Sequence, residues 1–220
     1  VSAVRPVMGQ SNVTLLTEAK VLKLHTSPSG REISRVEVEV RDPESGQLRI
    51  QNFSGDVVAI ACGAVNSAAL LLKSANDQHP NGLANRSDQV GRNFMKHVLG
   101  SIIGVSKKPN PTKFQKTLSI NDFYWGENGY EYPMGQIQTL GKVSSEALEG
   151  NAAAYVPLTP EQVATHSIDW WLTVEDLPDP NNRVRVDGDR IILDYTENNS
   201  ESYDRLEHRW IEILKSIECG

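Results

Sequence analysis

The stretch "VVAIACGAVNSAALLLKS" (57–74) constrains the chain most. An apolar run stops at Gly63 and gives way at once to a helix-like segment. "DVVAIAC" (56–62) does not alternate, and a strand that is apolar on both faces belongs inside a parallel sheet. In "NSAALLLKS", Asn66 or Ser67 is suited to cap a helix, and Ala68, Leu71 and Leu72 form the stripe it would bury. Strand, glycine turn and helix in this order predict an α/β arrangement. In such folds ligands sit beyond the carboxyl ends of the strands, and a helix N-terminus offers free N–H groups and a positive dipole end. Gly63 has no Cβ, so its backbone can approach a ligand closely. A single glycine between strand and helix is also a common plain connection. The fuller dinucleotide pattern G-x-G-x-x-G and the P-loop pattern are both absent from the sequence.

The segments before this stretch predict strands. "NVTLLTEAKVLKL" (12–24) is rich in β-branched and aliphatic residues. "RVEVEV" (35–40) places Val36, Val38 and Val40 on one face and Glu37 and Glu39 on the other. With turns at "SPSGR" and "DPESGQ" and a further strand at "LRIQNF", these make an antiparallel meander with one wet face. A small parallel sheet is expected from residues near 12–24 and 56–62. "HPNGLANRSDQVGRNFMKH" (79–97) is polar and reads as an ordered connecting loop. Strand-like pieces follow at 98–106, 135–143 and 168–177, then a hairpin over 182–195 turning at Asp187–Gly188–Asp189. Tyr203, Leu206, Trp210, Ile213, Leu214 and Ile217 recur at helical spacing. Asn198 or Ser200 is expected to cap that terminal helix and Gly220 to end it. The fold class expected is mixed α/β (α+β), with a larger antiparallel sheet after residue 98 backed by the terminal helix.

Composition bears on what the chain can bind. The 220 residues carry a net charge of −6, which disfavours nucleic acid or an anionic membrane as the main partner. No stretch approaches the roughly 20 apolar residues of a spanning helix. Cys62 and Cys219 make no disulfide framework, which points to a reducing compartment such as the cytoplasm. Cys62, at the end of an apolar run, is expected to be a small buried hydrophobe. Four Asn-x-Ser/Thr triplets, starting at Asn12, Asn52, Asn85 and Asn198, are attributed to chance.

No catalytic set emerges from the residues alone. His25, His79, His97, His166 and His208 show no metal-ligand spacing, and there is no G-x-S-x-G. His97 is expected to be a hydrogen-bonded structural histidine. Glu175, Asp176 and Asp179 read as a charged, Pro-rich turn. Trp170 and Trp171 are adjacent, so in a strand one packs in a core and the other can face a cavity.

Taken in order, "NVTLLTEAKVLKL", the meander, "VVAIACGAVNSAALLLKS", "NGLANRSDQVGRNFMKH" and "LPDPNNRVRVD" resemble the glucose–methanol–choline (GMC) oxidoreductases, and most of all their sugar-dehydrogenase and pyranose-oxidase-like branch. The resemblance implies an FAD enzyme that oxidises an alcohol or sugar CH–OH group by hydride transfer to flavin. It implies that residues 1–96 are the central part of the FAD-binding domain and 97–220 a substrate-binding domain. Cys62, Gly63 and Ala64 match a turn passing close to the flavin nucleotide. Val21, in a T-x-x-x-V segment, matches a position whose backbone meets the adenine. The family's glycine fingerprint and catalytic histidine have no counterpart here, so both are expected outside the chain, and the isolated chain is expected to be inactive and not to hold FAD tightly. Partners expected are a small alcohol or sugar and, through the apolar surface around 57–72, further copies in a homo-oligomer. The alternative is a complete, non-enzymatic α+β module presenting Trp170 or Trp171 and tyrosines to a ligand.

Overall fold

The computed structural model describes residues 3–113, 116–150, 157–217 and 219. In chain order the strands and helices are β1 (Ala19–Thr26), β2 (Ile33–Arg41), β3 (Leu48–Phe53), α1 (Gly63–Lys73), β4 (His97–Val105), β5 (Ser119–Ile120), β6 (Gln136–Thr139), α2 (Ser145–Leu148), α3 (Pro160–His166), β7 (Ser167–Glu175), β8 (Arg183–Asp187), β9 (Arg190–Asp194) and α4 (Ser200–Ser216). The fold is mixed α/β, with antiparallel sheets backed by a few helices. Two compact units form. One holds residues up to Phe94 together with 179–195, and the other holds 95–178 together with 196–220. Among the described residues no helix is long and apolar enough to cross a membrane.

In the first unit β1, β2 and β3 form the expected meander, with Val21 opposite Val38 and Leu24 opposite Val36. Its first strand is shorter than expected, beginning at Ala19. The alternation of β2 puts Val38 in the interior while its glutamates stay out. Leu24, Leu70 and Leu83 make one small core, on which Val58 and Ile60 pack. Ser74, at the end of α1, ties the helix to β1. Its hydroxyl donates to the Leu70 carbonyl (2.7 Å) and accepts the Leu24 N–H (3.0 Å).

Two expectations for this unit fail. The parallel strand near 56–62 is not formed: every strand pair among the described residues is antiparallel, and 57–62 joins none of them. Only Val58 and Ile60 turn toward the core, and Val57 is 86% exposed. A doubly apolar strand needs a layer on each face and neighbours on its edges, and the described residues cover one face only. Helix α1 also begins earlier than expected, with Cys62 rather than Asn66 or Ser67 at its N-cap. Ser67 lies within the first turns and accepts the Cys62 N–H at 3.0 Å, so it secures the helix start from inside. Of the expected stripe Ala68 is buried and Leu71 is half-buried against the Leu24–Leu83 core, and Ala69 and Leu70 are buried beside them.

The 79–94 segment is an ordered loop. Buried Asn85 holds it, donating to the Asn81 carbonyl (2.7 Å) and accepting the Val90 N–H (2.9 Å). The β8–β9 hairpin turns at Gly188 (φ +56°) as expected. Although it follows the second unit in sequence, it packs in the first, where Val184 lies against Ala68 and Ala69. The Val184 N–H donates to the Gly91 carbonyl at 2.7 Å.

In the second unit β4, β7, β6 and β5 form one antiparallel sheet, in that order. Period-two alternation sends Trp170, Leu172 and Val174 of β7 and Ile137 of β6 into a core closed by Leu206, Trp210 and Leu214 of α4. Trp170 and Trp210 meet edge to face with ring centroids 4.7 Å apart. Each such side chain contributes about 1.5–3 kcal/mol on burial, so this cluster carries the unit. Asn199 is the N-cap of α4, where Asn198 or Ser200 was expected. Its side chain makes no capping bond and donates instead to the Glu175 carbonyl (2.7 Å). Gly220, the expected helix terminator, lies outside the described residues.

Candidate cofactor turn and substrate face

Cys62, Gly63 and Ala64 form the exposed entrance to α1. Gly63 sits at φ +80°, a conformation costly for other residues, and no heavy atom of the described residues lies within 4 Å of the place a Cβ would take. Among the described residues no side chain caps the first turn of this 11-residue helix. The turn therefore offers backbone N–H groups, the positive end of a helix dipole and room for close approach, which suits an anionic group such as a phosphate. Val21 is not at the turn. It is 38% exposed on β1, in a groove shared with Val36, Phe53, Val57 and Val58, and so borders the run that leads into the turn. Cys62 is exposed, against the expectation of burial, because 57–62 joins no sheet among the described residues. Cys219 is the buried cysteine, with its N–H donating to the Leu214 carbonyl at 2.9 Å.

In the second unit the face of the sheet opposite α4 is open among the described residues. Trp171, Thr173 and Glu175 of β7 point to it. Gln138 and Gln136 of β6 stand across from Trp171 and Thr173, and Leu99 and His97 of β4 stand across from Thr173 and Glu175. Together they border a concavity of about 480 Å³. The Lys116 ammonium lies 4.8 Å from the centroid of the Trp171 ring. His97 is exposed rather than structural, with Nδ1 4.0 Å from Glu175 Oε2, because β4 turns its odd residues outward at this end. Trp170 and Trp171 thus divide between core and cavity as their adjacency predicts. The sequence reading missed His97, Gln136, Gln138 and Thr173 as a group. Their parity within each strand was visible, but the cross-strand register that brings them together was not.

Of the three acids expected in a turn only Asp179 begins one, at 179–182; Glu175 is the last residue of β7 and Asp176 lies in the extended segment after it. Asp176 is buried, and its Oδ2 accepts the Lys96 N–H at 3.1 Å, while Asp179 accepts the Asn181 N–H at 2.7 Å. At the other end of β7, fully buried Asp169 pins the loop after β6 by accepting the Val143 N–H (3.0 Å) and the Ser167 hydroxyl (3.2 Å). Burial pushes the Asp169 carboxyl above the usual aspartate range despite those bonds and the nearby Lys142 ammonium. Among the described residues no group of three His, Cys, Asp or Glu side chains could hold a metal.

Residues 1–99 match the family model of the GMC oxidoreductases. The fructose dehydrogenase large subunit of Gluconobacter japonicus is 29% identical over 185 residues, 80% of this chain and 32% of that protein. The 6'''-hydroxyparomomycin C oxidase of Streptomyces lividus is 34% identical over 87 residues, 40% of this chain and 15% of that protein. The 2-methyl-1,2-propanediol dehydrogenase of Mycolicibacterium austroafricanum is 29% identical over 114 residues, 50% of this chain and 20% of that protein. The chain spans about a third or less of the length of these relatives. The first 99 residues thus match the GMC oxidoreductases, a family whose cofactor is FAD, and the likeness to the fructose dehydrogenase large subunit extends over most of the rest of the chain.

Proposed function

We propose that this chain is the central part of an FAD-dependent oxidoreductase that oxidises a CH–OH group of a small alcohol or sugar. Residues 1–96 serve the cofactor and residues 97–220 the substrate. The observation that carries this reading is the uncapped, exposed start of α1 at Gly63, inside the segment that matches the family model. Gly63 and Ala64 would hold an anionic part of FAD through backbone N–H groups, with Cys62, whose own N–H is held by Ser67, beside them, and the backbone at Val21 would border its adenine end. FAD, when bound, supplies the acceptor for the hydride. The open face of the β4–β7–β6–β5 sheet would roof the reacting centre. Trp171 and Thr173 limit access there, while Gln136, Gln138 and Glu175 offer hydrogen bonds to hydroxyls. The histidine that takes the hydroxyl proton lies in a segment beyond these residues. The relatives' names include a sugar and a diol as substrates, in keeping with this donor class.

The test uses the full-length polypeptide that carries this chain. Purified protein should contain bound flavin, and anaerobic addition of a polyol should bleach its absorbance. Protein that folds without flavin, or flavin that no alcohol or sugar reduces, would overturn the proposal.

A further inference from the structure

Next to the open sheet face lies a second cavity of about 510 Å³ in the same unit. Its chemistry contrasts with the first. Tyr124, Trp125, Tyr130 and Tyr132 line it in two edge-to-face pairs, with ring centroids 4.9 Å and 5.5 Å apart. Trp125 is 79% exposed, a large apolar surface left in the open. Tyr124, Gly135 and Glu175 border both cavities, so the two share a wall at the end of β7.

The walls are pinned rather than loose. Asn198 clasps Leu177 with two hydrogen bonds, accepting its N–H at 3.0 Å and donating to its carbonyl at 2.8 Å. Asn199 holds the Glu175 carbonyl, and the Tyr130 hydroxyl is 2.8 Å from that of buried Ser202. A volume of this size is that of a ligand pocket rather than of a packing gap. Among the described residues no lysine, arginine or histidine lines it, while Glu175 does, together with Glu201, which is paired with Arg205 at 3.0 Å. An anionic occupant is therefore disfavoured. A neutral aromatic or bulky apolar group fits, through offset and edge contacts with the four rings.

We infer that the substrate site of this chain has two compartments, and that its substrate is a polyhydroxylated ring carrying a second ring or a bulky neutral substituent. The hydroxylated part lies on the Trp171 face, and the substituent enters the aromatic cavity across the Tyr124–Glu175 wall. This rests on the reading of the sheet face as the substrate face. Lys116, which now covers the Trp171 ring, would swing off when a sugar stacks there.

The test titrates the full-length polypeptide that carries this chain, without an electron acceptor, with D-glucose, phenol and phenyl β-D-glucoside by ligand-observed NMR. It is repeated on Trp171→Ala and Trp125→Ala, each checked for folding by circular dichroism. Joining two weak occupants makes the second contact intramolecular, so the phenyl glucoside should bind roughly tenfold tighter than either glucose or phenol. Trp125→Ala should erase that gain and leave glucose affinity unchanged, whereas Trp171→Ala should weaken both sugars. Equal affinities for glucose and phenyl glucoside, or a gain that survives Trp125→Ala, would overturn the two-compartment site alone. Glucose binding that is absent or indifferent to Trp171→Ala would overturn the substrate-face reading beneath it.

Discussion

The Tyr203 hydroxyl of α4 rests on the bare Cα of Gly100 in β4. A Cβ on Gly100 would lie 1.6 Å from that oxygen and 2.5 Å from Cζ. The glycine is what lets the helix seat its tyrosine against the sheet, where burial and the facing Glu207 carboxylate push the phenol up to about 12. Gly100→Ala should therefore destabilise the protein by about 1–3 kcal/mol, the usual cost of overpacking. Urea unfolding would read the loss. In a Tyr203→Ala background the same substitution should cost little. Equal costs in both backgrounds would show that the contact does not limit the packing.

Asp169 gives stability a pH dependence whose sign follows from its surroundings. Burial raises its folded-state pKa above the unfolded value, with the Val143 N–H, the Ser167 hydroxyl and Lys142 opposing the rise. The folded state then holds the proton more tightly than the unfolded one. The stability this contributes is full at acid pH and is lost as pH climbs from the ordinary aspartate range through the raised value. Asp169→Asn should flatten that dependence, because a neutral amide keeps an acceptor for the Val143 N–H. Urea midpoints measured across this window for both proteins provide the check, and identical slopes would exclude Asp169 as the source.

Gly63 separates a conformational demand from a spatial one. Val at this position meets both a positive φ and the approach of a ligand, whereas Asn tolerates the positive φ and adds only the side chain. In the full-length polypeptide, Gly63→Val and Gly63→Asn should both lower flavin per mole of protein, and Gly63→Asn should keep the apoprotein's melting temperature within a few degrees of the parent's. Normal flavin content in Gly63→Asn would remove the turn from the cofactor site.

Val57, Leu15, Leu16, Leu48 and Ile50 leave the first unit with exposed apolar side chains. Such surface drives association, and unpaired extended chain recruits other strands. The 220-residue protein should sediment as a dimer or larger, and Val57→Lys should shift it toward monomer. A monomeric parent across the micromolar range would count against this surface as the cause.

The features legible in the sequence are those set by period and turn chemistry within a few residues. The alternation of Val36, Val38 and Val40 specified a half-buried strand. Asp187–Gly188 marked the hairpin, the spacing of Leu206, Trp210 and Leu214 marked α4, and adjacency alone divided Trp170 from Trp171. The resemblance carried by "CGAVNSAALLLKS" and "VGRNFMKH" points to the family without any geometry. Other features answered only to the tertiary structure. Residues 57–62 look like a strand with two covered faces, yet they pair with nothing described, and Cys62 is open while Cys219 is buried. The β8–β9 hairpin joined α1 although residues 95–178 separate them in sequence, and His97, Gln136, Gln138 and Thr173 became one face with Trp171. Which way a side chain points follows from its own strand's pleat, a local property. What it then meets depends on register and partners far away in the chain, and those are chosen by the packing of the whole unit.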